Sequence, residues 1–325
     1  MEKGVVCVTG GTGYVASWLI MRLLQQGYAV NTTVRSHPDQ KKDVSYLTNL
    51  PGASERLRIF NADLDRPESF SDSIQGCVGV FHVAHNIDFE GKEDEETNTK
   101  KSIDATISIL QACLDSKTVK RVVYTSSGST VMYSGKDLSV LDETTWTDVD
   151  YLKSRKTLGE SYYISKTSTE RAALEFAETH GLELVTVIPT FIHGPFITPH
   201  CPGSVHTLMT MIFGDKNIFE FSACTPFVHI DDVVTAHIHL FEYPKAKGRY
   251  ICSAVDITLE EFPRFLSQRY PEYNVSSNSF LKNVKESKIF KLSSKKLLDT
   301  GFKYKYGLEQ MYDDAIDCCK QKGLL

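Results

Sequence analysis

A strand pattern, a glycine-rich turn and an apolar helix pattern follow one another directly in GVVCVTGGTGYVASWLIMRLL (4–24). In such an arrangement Gly10 lets the chain turn off the strand, Gly13 lets the backbone approach a pyrophosphate, and Ala16 permits close packing of the helix on the strand. Backbone N–H groups and the helix dipole then face the phosphates. A glycine-rich turn alone is weak evidence, but the flanking strand and helix are the context that the motif requires. We therefore predict a dinucleotide-binding site.

Short β-rich runs alternate with amphipathic stretches over the first 190 residues, which is typical of a doubly wound α/β domain. The predicted strands cover 5–9, 30–34, 57–62, 78–84, 121–127 and 183–189. The predicted helices cover 13–26, 39–49, 67–75, 97–116 and 158–179. Because the strands are nearly continuous in Val, Ile and Phe, both faces of the sheet should be buried, as in a parallel Rossmann sheet.

The alternation stops after the sixth strand, where TFIHGPFITPHCPGSV (190–205) has the composition of a loop. The segment 227–243 is predicted to be a strand and a helix that rejoin the first domain. The smaller, discontinuous lobe is predicted to contain a strand, a helix and the closing segment: 248–253, 258–270 and the C-terminal helix. The predicted domains are an NADP(H)-binding Rossmann domain over 1–189, with 225–247 returning to it, and a mainly substrate-binding lobe over 190–325.

The composition of the 325 residues is that of an ordinary globular protein, with 41% hydrophobic and 24% charged residues. A net charge of −5 and dispersed Lys and Arg residues offer no basic surface, so we expect no nucleic-acid partner. No apolar run approaches the roughly 18 residues of a membrane span, and no basic-then-apolar leader is present, so we expect a cytoplasmic protein without membrane contact. The eight cysteines contain no CxxC pair, so we expect no metal. The oligomeric state stays open.

The end of the second predicted strand indicates which nicotinamide cofactor is bound. A carboxylate there would bind the ribose 2′-hydroxyl of NADH, but the chain has VRSHPDQKK, with Arg35, Lys41 and Lys42. Cations can clamp a 2′-phosphate, so we predict NADP(H), with a solvated basic loop as the alternative. Asp63, at the end of the third strand, either meets the adenine amino group or caps a helix.

Tyr162 and Lys166 stand four residues apart in the helix pattern LGESYYISKTSTERAALEF. This spacing puts phenol and ammonium on one helix face, where the charge can lower the pKa of the phenol and make it a proton donor. The fifth strand ends in Ser126 and Ser127, at the sheet edge where ligands bind, and either hydroxyl could orient a substrate oxygen. Tyr163 points about 100° away around the helix and is expected to pack.

Motifs along nearly the whole chain are similar to those of plant extended short-chain dehydrogenase/reductases of the dihydroflavonol-reductase group. The segments that carry the resemblance include TGGTGYVASWLIMRLL, NTTVR, GCVGVFHVA, KTVKRVVYTSSGS, YYISKT, FVHIDDV and KGRYICS. The resemblance implies a catalytic triad of Ser127, Tyr162 and Lys166. It implies phosphate and adenine contacts from Gly10, Thr12, Gly13, Tyr14, Val15, Arg35, Lys42, Asp63 and Leu64. It also implies that Val83, Ala84, Pro189 and Ser204 line the nicotinamide and phosphate path.

Two departures from the family pattern concern the substrate. The family usually has a small hydroxyl residue and a proline after VFHVA, whereas this chain has His85 and Asn86. Met132 stands where dihydroflavonol reductases use an Asn for the ring hydroxyls, and losing that donor disfavours dihydroflavonol reduction. His85 either donates to a substrate oxygen, senses pH or packs as a singly bonded ring. The predicted pocket is mostly apolar and aromatic, with His85, Asn86, Met132, Tyr133, Phe191 and His193.

The residues and the resemblance together predict an NADPH-dependent reductase of a small-molecule ketone, a vestitone-like isoflavonoid or a related polycyclic plant metabolite. In this prediction Tyr162 protonates, Ser127 orients, and Lys166 binds the nicotinamide ribose and tunes Tyr162. One alternative is an NADP-dependent dehydrogenase that oxidises an alcohol or hemiacetal of an alkaloid. The alternative from another class is a catalytically silent NADP-binding protein that acts through partner contacts.

Overall fold

The structure is a computed structural model that describes residues 3–35, 43–86, 93–155, 159–214, 224–275 and 290–325. Within these ranges the strands are β1 (Val5–Val8), β2 (Ala29–Val34), β3 (Leu57–Asn61), β4 (Gly79–His82), β5 (Arg121–Thr125), β6 (Val140–Leu141), β7 (Leu184–Pro189), β8 (Phe191–His193), β9 (Cys224–His229), β10 (Gly248–Cys252), β11 (Val255–Thr258) and β12 (Lys291–Leu292).

The helices begin with α1 (Tyr14–Gln25), α2 (Ser45–Thr48), α3 (Ala53–Arg56), α4 (Ser71–Ile74), α5 (Glu95–Asp115), α6 (Ser129–Met132) and α7 (Val149–Arg155). They continue with α8 (Glu160–His180), α9 (Gly203–Phe213), α10 (Ile230–Glu242), α11 (Glu261–Arg269), α12 (Lys295–Leu298) and α13 (Leu308–Gln321). Within the described ranges, no helix is both long enough and apolar enough to cross a lipid bilayer.

Seven parallel strands form the central sheet in the order β10-β7-β5-β4-β1-β2-β3. The strand order reverses between β1 and β4, and ligands of open α/β sheets bind outside the carboxyl ends of the strands at such a point. The residues of β4, β5 and β7 are all buried, because α5 and α8 cover one face of the sheet while α1 and α10 cover the other. The predicted doubly wound parallel sheet is confirmed.

The predicted strands and helices of the first 190 residues match the observed elements to within about two residues for the six strands and for α1, α5 and α8. The predicted helix 39–49 lies partly outside the described residues, and its described part contains α2. The prediction for 67–75 is observed as a 3-10 turn, Pro67–Phe70, that leads into α4. Local periodicity was sufficient here because these elements alternate regularly along the chain.

One prediction about the second half of the chain is wrong. The pattern places the strand in 248–253 in the smaller lobe, but β10 pairs in parallel with β7, with Arg249 opposite Thr186, as the seventh strand of the central sheet. The strand in 227–243 is predicted to rejoin the first domain; β9 pairs with β8 and β11 in a separate three-stranded sheet, while its Val228 lies in the core between the central sheet, α1 and α10. Strand pairing is a long-range choice that side-chain alternation does not encode. The helix of that segment, α10, does pack on the central sheet and on α1.

The segment 190–205, predicted as a loop, contains β8 and the first turn of α9. Helices α9, α11 and α13 enclose an aromatic cluster of their own around Tyr312, whose ring centroid lies 5.8 Å from that of Phe262 and 6.4 Å from that of Phe227. This second core supports the prediction of a smaller lobe. The exact domain boundary stays a prediction.

Candidate active site

The glycine-rich turn between β1 and α1 has a backbone that only glycine fits. Gly10 has φ +73°, and a Cβ on it would lie 3.1 Å from the Cα of Ala84. A Cβ on Gly13 would lie 3.3 Å from the carbonyl oxygen of Gly10. Gly13 is also the N-cap of α1, and no side chain caps this helix, so the N–H groups of its first turn are open to an anion. The turn therefore fits the pyrophosphate of a dinucleotide.

Thr12 and Tyr14 extend from this turn into a groove of about 440 Å³, which is also lined by Asp43, Tyr46 and the 198–202 loop. The Tyr14 hydroxyl donates to the carbonyl oxygen of Gly194 at 3.1 Å, which ties the phosphate turn to the smaller lobe. Val15, in the first turn of α1, packs against the main core. The predicted phosphate contacts thus lie at one end of a groove between the two lobes.

The residues predicted to bind the adenosine half follow β2 and β3. Arg35 comes directly after β2 and is exposed to solvent. Asp63 and the neighbouring Leu64 follow β3 and are half-buried, and the Asp63 carboxylate accepts a hydrogen bond from the backbone N–H of Asp65 at 3.2 Å. Lys41 and Lys42 lie outside the described residues. Asp63 therefore stabilises its own turn and does not cap a helix, because the 3-10 turn that follows begins after Arg66 and has no side-chain cap. The contact of Asp63 with the adenine stays a prediction.

Thr9, at the end of β1, organises the segment predicted to lie beside the nicotinamide. Its hydroxyl oxygen accepts hydrogen bonds from the backbone N–H groups of Val83 and Ala84, both at 3.0 Å. The hydroxyl hydrogen is then directed to Nδ1 of His82 at 3.0 Å, which leaves hydrogen on Nε2, 3.3 Å from the Thr106 hydroxyl. Burial lowers the pKa of His82 to about 3, so the ring stays neutral. Sequence reasoning missed Thr9, because one Thr at a strand end carries no recognisable signal.

The two other predicted path residues lie on different elements. Pro189 ends β7, and its carbonyl oxygen accepts a hydrogen bond from the N–H of Gly128 at 2.8 Å, which links the end of β7 to the turn after β5. Ser204 lies in the first turn of α9 and is half-buried. Both positions remain predictions as cofactor contacts.

The proposed triad combines the end of β5 with one face of α8. Ser127 follows β5, and its hydroxyl oxygen accepts hydrogen bonds from the N–H of Ser129 at 3.2 Å and from the Ser129 hydroxyl at 3.0 Å. Its own hydrogen is therefore available to the hydrogen bond that it makes with Tyr162. One turn later on α8, the Lys166 ammonium donates to the carbonyl oxygen of Thr125 at 2.8 Å.

The two neighbouring serines make different hydrogen bonds. The Ser126 hydroxyl donates to the buried carboxylate of Glu170 at 2.6 Å. Ser127 is the serine that is hydrogen-bonded to Tyr162, so the geometry is compatible with the predicted triad of Ser127, Tyr162 and Lys166. Tyr163 stacks on Tyr133 with ring centroids 5.0 Å apart, in agreement with the expectation that it packs.

The protonation of the triad is governed mainly by burial. Burial raises the pKa of Tyr162 to about 12, and the hydrogen bond from Ser127 acts in the opposite direction. Burial lowers the pKa of Lys166 to about 7, and the charge of Glu170 acts in the opposite direction. From the spacing we predicted that Lys166 lowers the pKa of Tyr162. The pKa of Tyr162 is instead raised, because the effect of burial is larger than any effect that lowers it. The effect that lowers this pKa comes from the hydrogen bond with Ser127.

The predicted pocket residues divide into two groups. The His85 ring stands edge-on to the Tyr162 ring with centroids 5.8 Å apart, and its buried Nε2 has no hydrogen-bond partner. Burial, Lys166 and His82 together hold the pKa of His85 well below its ordinary value, so the ring is neutral at neutral pH. Two other predicted pocket residues lie beyond β5: Met132 at the end of α6, whose sulfur lies on the side of Gly128 that a Cβ would occupy, and Tyr133, which stacks on Tyr163. Asn86 is half-buried at the end of a described range.

The other pocket residues belong to β8. Phe191 is half-buried, and its ring centroid lies 6.5 Å from that of Phe227. His193 is fully buried, and its ring is tilted against that of Tyr312 with centroids 4.3 Å apart. Phe191 and His193 are two residues apart on β8 and therefore lie on the same face, which packs on the aromatic cluster of the smaller lobe. Their place in the substrate pocket stays a prediction.

Sequence reasoning also missed Glu170 and Arg249, which make a buried ion pair of 3.0 Å behind the triad. Glu170 lies one helical turn after Lys166, so its spacing could have revealed it, but Arg249 comes from β10, whose position was predicted wrongly. In the described part of the chain, no group of three His, Cys, Asp or Glu side chains could hold a metal ion.

Comparisons with known proteins agree with this geometry. The model of the NAD dependent epimerase/dehydratase family matches residues 6–252. Vestitone reductase from Medicago sativa is 51% identical over 99% of this chain and 99% of that protein. Noscapine synthase SDR1 from Papaver somniferum is 50% identical over 99% and 94%, and dihydroflavonol 4-reductase from Callistephus chinensis is 45% identical over 98% and 87%.

The crystal structure of vestitone reductase from alfalfa superposes with a TM-score of 0.88, at 49% identity, and the match covers 99% of this chain and 100% of that one. The predicted resemblance, the oxidoreductase class and the nicotinamide cofactor are thereby confirmed. The chain belongs to the NAD dependent epimerase/dehydratase family as an extended short-chain dehydrogenase/reductase, an NAD(P)-dependent oxidoreductase.

Proposed function

We propose that the protein is an NADPH-dependent reductase that acts on the ketone of a plant specialised metabolite, a vestitone-like isoflavonoid or a related polycyclic compound. One observation carries the proposal: the end of β5 and one face of α8 bring Ser127, Tyr162 and Lys166 together, at the carboxyl edge of the sheet beside the glycine-rich turn. This arrangement can receive a carbonyl group and deliver a proton to its oxygen.

The nucleotide, when bound, supplies a hydride from its nicotinamide ring. Tyr162 is protonated at neutral pH because its pKa is about 12, so it can give its proton to the oxygen that gains charge as the carbonyl is reduced. Ser127 can donate a hydrogen bond to the same oxygen and afterwards to the tyrosinate. In this proposal the Lys166 ammonium, one turn from Tyr162 on the same face of α8, adds electrostatic stabilisation of that tyrosinate to the hydrogen bond from Ser127.

Two features favour NADPH over NADH. The residue that follows β2 is Arg35, a cation that can pair with a 2′-phosphate, where an NADH-specific site would have a carboxylate. Arg35 is also exposed, so its guanidinium is accessible to a phosphate from solvent.

The substrate class rests on similarity and on the pocket. The two relatives at 50% and 51% identity are named for vestitone and for noscapine, both polycyclic compounds. His85, beside Tyr162, offers an unpartnered buried nitrogen, and a ligand oxygen would satisfy it. We therefore propose that His85 binds an oxygen of the substrate near the reacting carbonyl.

The second candidate function is the reverse reaction, in which an alkaloid alcohol or hemiacetal is oxidised. It is favoured by the nearly equal identity to noscapine synthase. Incubation of the pure protein with NADPH and with NADP⁺, against isoflavonoid ketones and alkaloid hemiacetals, distinguishes the two. Turnover with ketones and NADPH is expected, whereas turnover only in the oxidative direction would overturn the first choice.

Paired tyrosine variants test the assignment of the proton donor. Tyr162→Phe should lower kcat by about 10²–10⁴-fold and leave NADPH affinity within about twofold, because it removes only the transferable proton. Tyr163→Phe, one residue later and stacked on Tyr133, is the matched control and should keep most of the activity. Undiminished turnover by Tyr162→Phe would refute the mechanism. Absence of turnover in the wild-type chain on every carbonyl and alcohol would favour the silent NADP-binding alternative.

A substitution series at His85 tests the substrate contact. His85→Phe should raise KM for an oxygenated polycyclic ketone by about tenfold, the loss expected for one buried hydrogen bond of about 1.4 kcal/mol, and His85→Gln should recover part of it. A ketone that lacks the neighbouring oxygen should be insensitive to both changes. Equal losses for both ketones would mean that His85 only packs.

A further inference from the structure

We propose that Glu170 is a positioning residue that keeps Lys166 charged and directed at the end of β5. The inference rests on the proposed function, because it concerns the same proton-transfer site. Within the described ranges, the hydrogen bonds of Glu170 go to Ser126 and Arg249 rather than to the predicted cofactor path or pocket. It acts through Lys166 and through the backbone to which Lys166 is bonded.

The first observation is the place of the carboxylate. Glu170 lies four residues after Lys166 on α8, so both side chains leave the same face of the helix. The Glu170 side chain is 0% exposed and accepts hydrogen bonds from the Ser126 hydroxyl at 2.6 Å and from Nε of Arg249 at 3.0 Å. A buried carboxylate is retained only when it is paired in this way.

The second observation is the end of β5 itself. Ser126, which donates to Glu170, is the residue after Thr125, whose carbonyl oxygen accepts the Lys166 ammonium at 2.8 Å. One turn of α8 therefore binds two successive residues at the end of β5: the Lys166 ammonium binds Thr125, and the Glu170 carboxylate binds Ser126. Loss of either bond would allow the strand end, and with it Ser127, to shift relative to Tyr162.

Arg249 compensates the charge of Glu170 from the opposite side. Its guanidinium also donates to the carbonyl oxygens of Glu143 and Thr145, both at 2.8 Å, and lies 3.5 Å from the centroid of the Trp146 ring. These contacts fix the guanidinium in place beside the carboxylate, so Glu170 has a second cationic neighbour besides Lys166.

The charged and titratable groups around Lys166 come from five elements. From α8 come Tyr162 and Glu170, and Tyr124 of β5 places its ring centroid 5.1 Å from the ammonium. The remaining groups are His82 of β4, His85 after it, His237 of α10, which bonds the Thr125 hydroxyl at 2.8 Å, and Arg249 of β10. The three histidines have pKa values lowered mainly by burial and are neutral at pH 7. Glu170 therefore supplies the negative charge that opposes the burial of the ammonium.

The charge of Lys166 therefore depends on the Glu170 carboxylate. Burial brings the pKa of Lys166 to about 7, so near neutral pH the ammonium is only about half populated. Without the charge of Glu170 the pKa falls further, and the neutral amine predominates at pH 7. A neutral Lys166 no longer stabilises a tyrosinate at Tyr162.

Glu170→Gln removes the charge and keeps one acceptor oxygen, which can serve Ser126 and Nη2 of Arg249, whereas Nε of Arg249 loses its acceptor. We expect the alkaline limb of the kcat profile, measured from pH 5.5 to 9, to move to lower pH by about one unit or more, with activity recovering at low pH. Ser126→Ala is the matched control, because it removes one hydrogen bond and keeps the charge, so its limb should stay at the wild-type pH. An unshifted limb in Glu170→Gln would overturn the proposal.

A readout without turnover separates this inference from the proposed function. The rate of Lys166 acetylation by acetic anhydride, followed by mass spectrometry against pH, reports the neutral amine directly. Glu170→Gln should shift the midpoint of this labelling profile to lower pH. Glu170→Asp keeps the charge and should leave the midpoint near the wild-type value. This second variant also keeps the test available if Glu170→Gln does not fold. A shifted labelling midpoint in a chain that turns over no substrate would refute the proposed function and support the role of Glu170. An unchanged midpoint refutes the role of Glu170 whatever the activity.

Discussion

Replacement of Thr9 by Val removes a single buried hydroxyl and keeps the shape of the side chain. Three polar groups lose their partner: the N–H groups of Val83 and Ala84 and Nδ1 of His82. An unsatisfied buried group costs about 1–3 kcal/mol. Val83 and Ala84 are half-buried, so water can reach them in part, and the lower value applies. The three groups together predict a loss of about 3 kcal/mol in the free energy of unfolding.

Urea unfolding of the wild-type chain, Thr9→Val and Thr9→Ser measures this loss. Thr9→Ser keeps the hydroxyl and removes one buried methyl group, so its loss should be about 1 kcal/mol. The N–H groups of Val83 and Ala84 orient the segment predicted to lie beside the nicotinamide, so Thr9→Val should also weaken NADPH binding about tenfold in a fluorescence titration. If Thr9→Val unfolds at the same urea concentration as Thr9→Ser, the hydroxyl does not hold this segment, and the reasoning fails.

Three further changes test the cofactor site and the buried histidines. Gly10→Ala puts a Cβ on a residue with φ +73°, so it should lower the free energy of unfolding by about 1–3 kcal/mol and weaken NADPH binding more than tenfold. Wild-type affinity in this variant would mean that the turn relaxes. Arg35→Ala should raise KM for NADPH about tenfold and leave KM for NADH unchanged, and equal effects on both would exclude a 2′-phosphate contact. Three histidines have pKa values lowered by burial, to about 3, 3 and 4: His82, His193 and His237. The unfolded chain binds their protons first, so their stabilisation is complete above about pH 6.5 and falls by up to about 1.4 kcal/mol per histidine for each pH unit below it. A urea midpoint at pH 5 equal to that at pH 7 would contradict this sign.

Features that depend on neighbouring residues could be predicted from the amino-acid sequence alone. The spacing of glycines after an apolar run predicts the phosphate turn, because a positive φ at Gly10 and a close backbone approach at Gly13 are local requirements. The four-residue spacing of Tyr162 and Lys166 predicts a shared face, because helix geometry repeats every 3.6 residues. The regular alternation of strands and helices over the first 190 residues was sufficient for the parallel sheet.

Contacts between distant parts of the chain are visible only in the folded protein. β10 lies beside β7, and this pairing brings Arg249 to Glu170 across 79 positions. The hydroxyl of Thr9 meets Val83 and Ala84 more than 70 residues later. Burial sets the pKa of Tyr162 above its ordinary value, in the direction opposite to the prediction from Lys166 alone. Solvent exclusion and strand pairing are sums over many elements, and a local pattern of residues does not contain them.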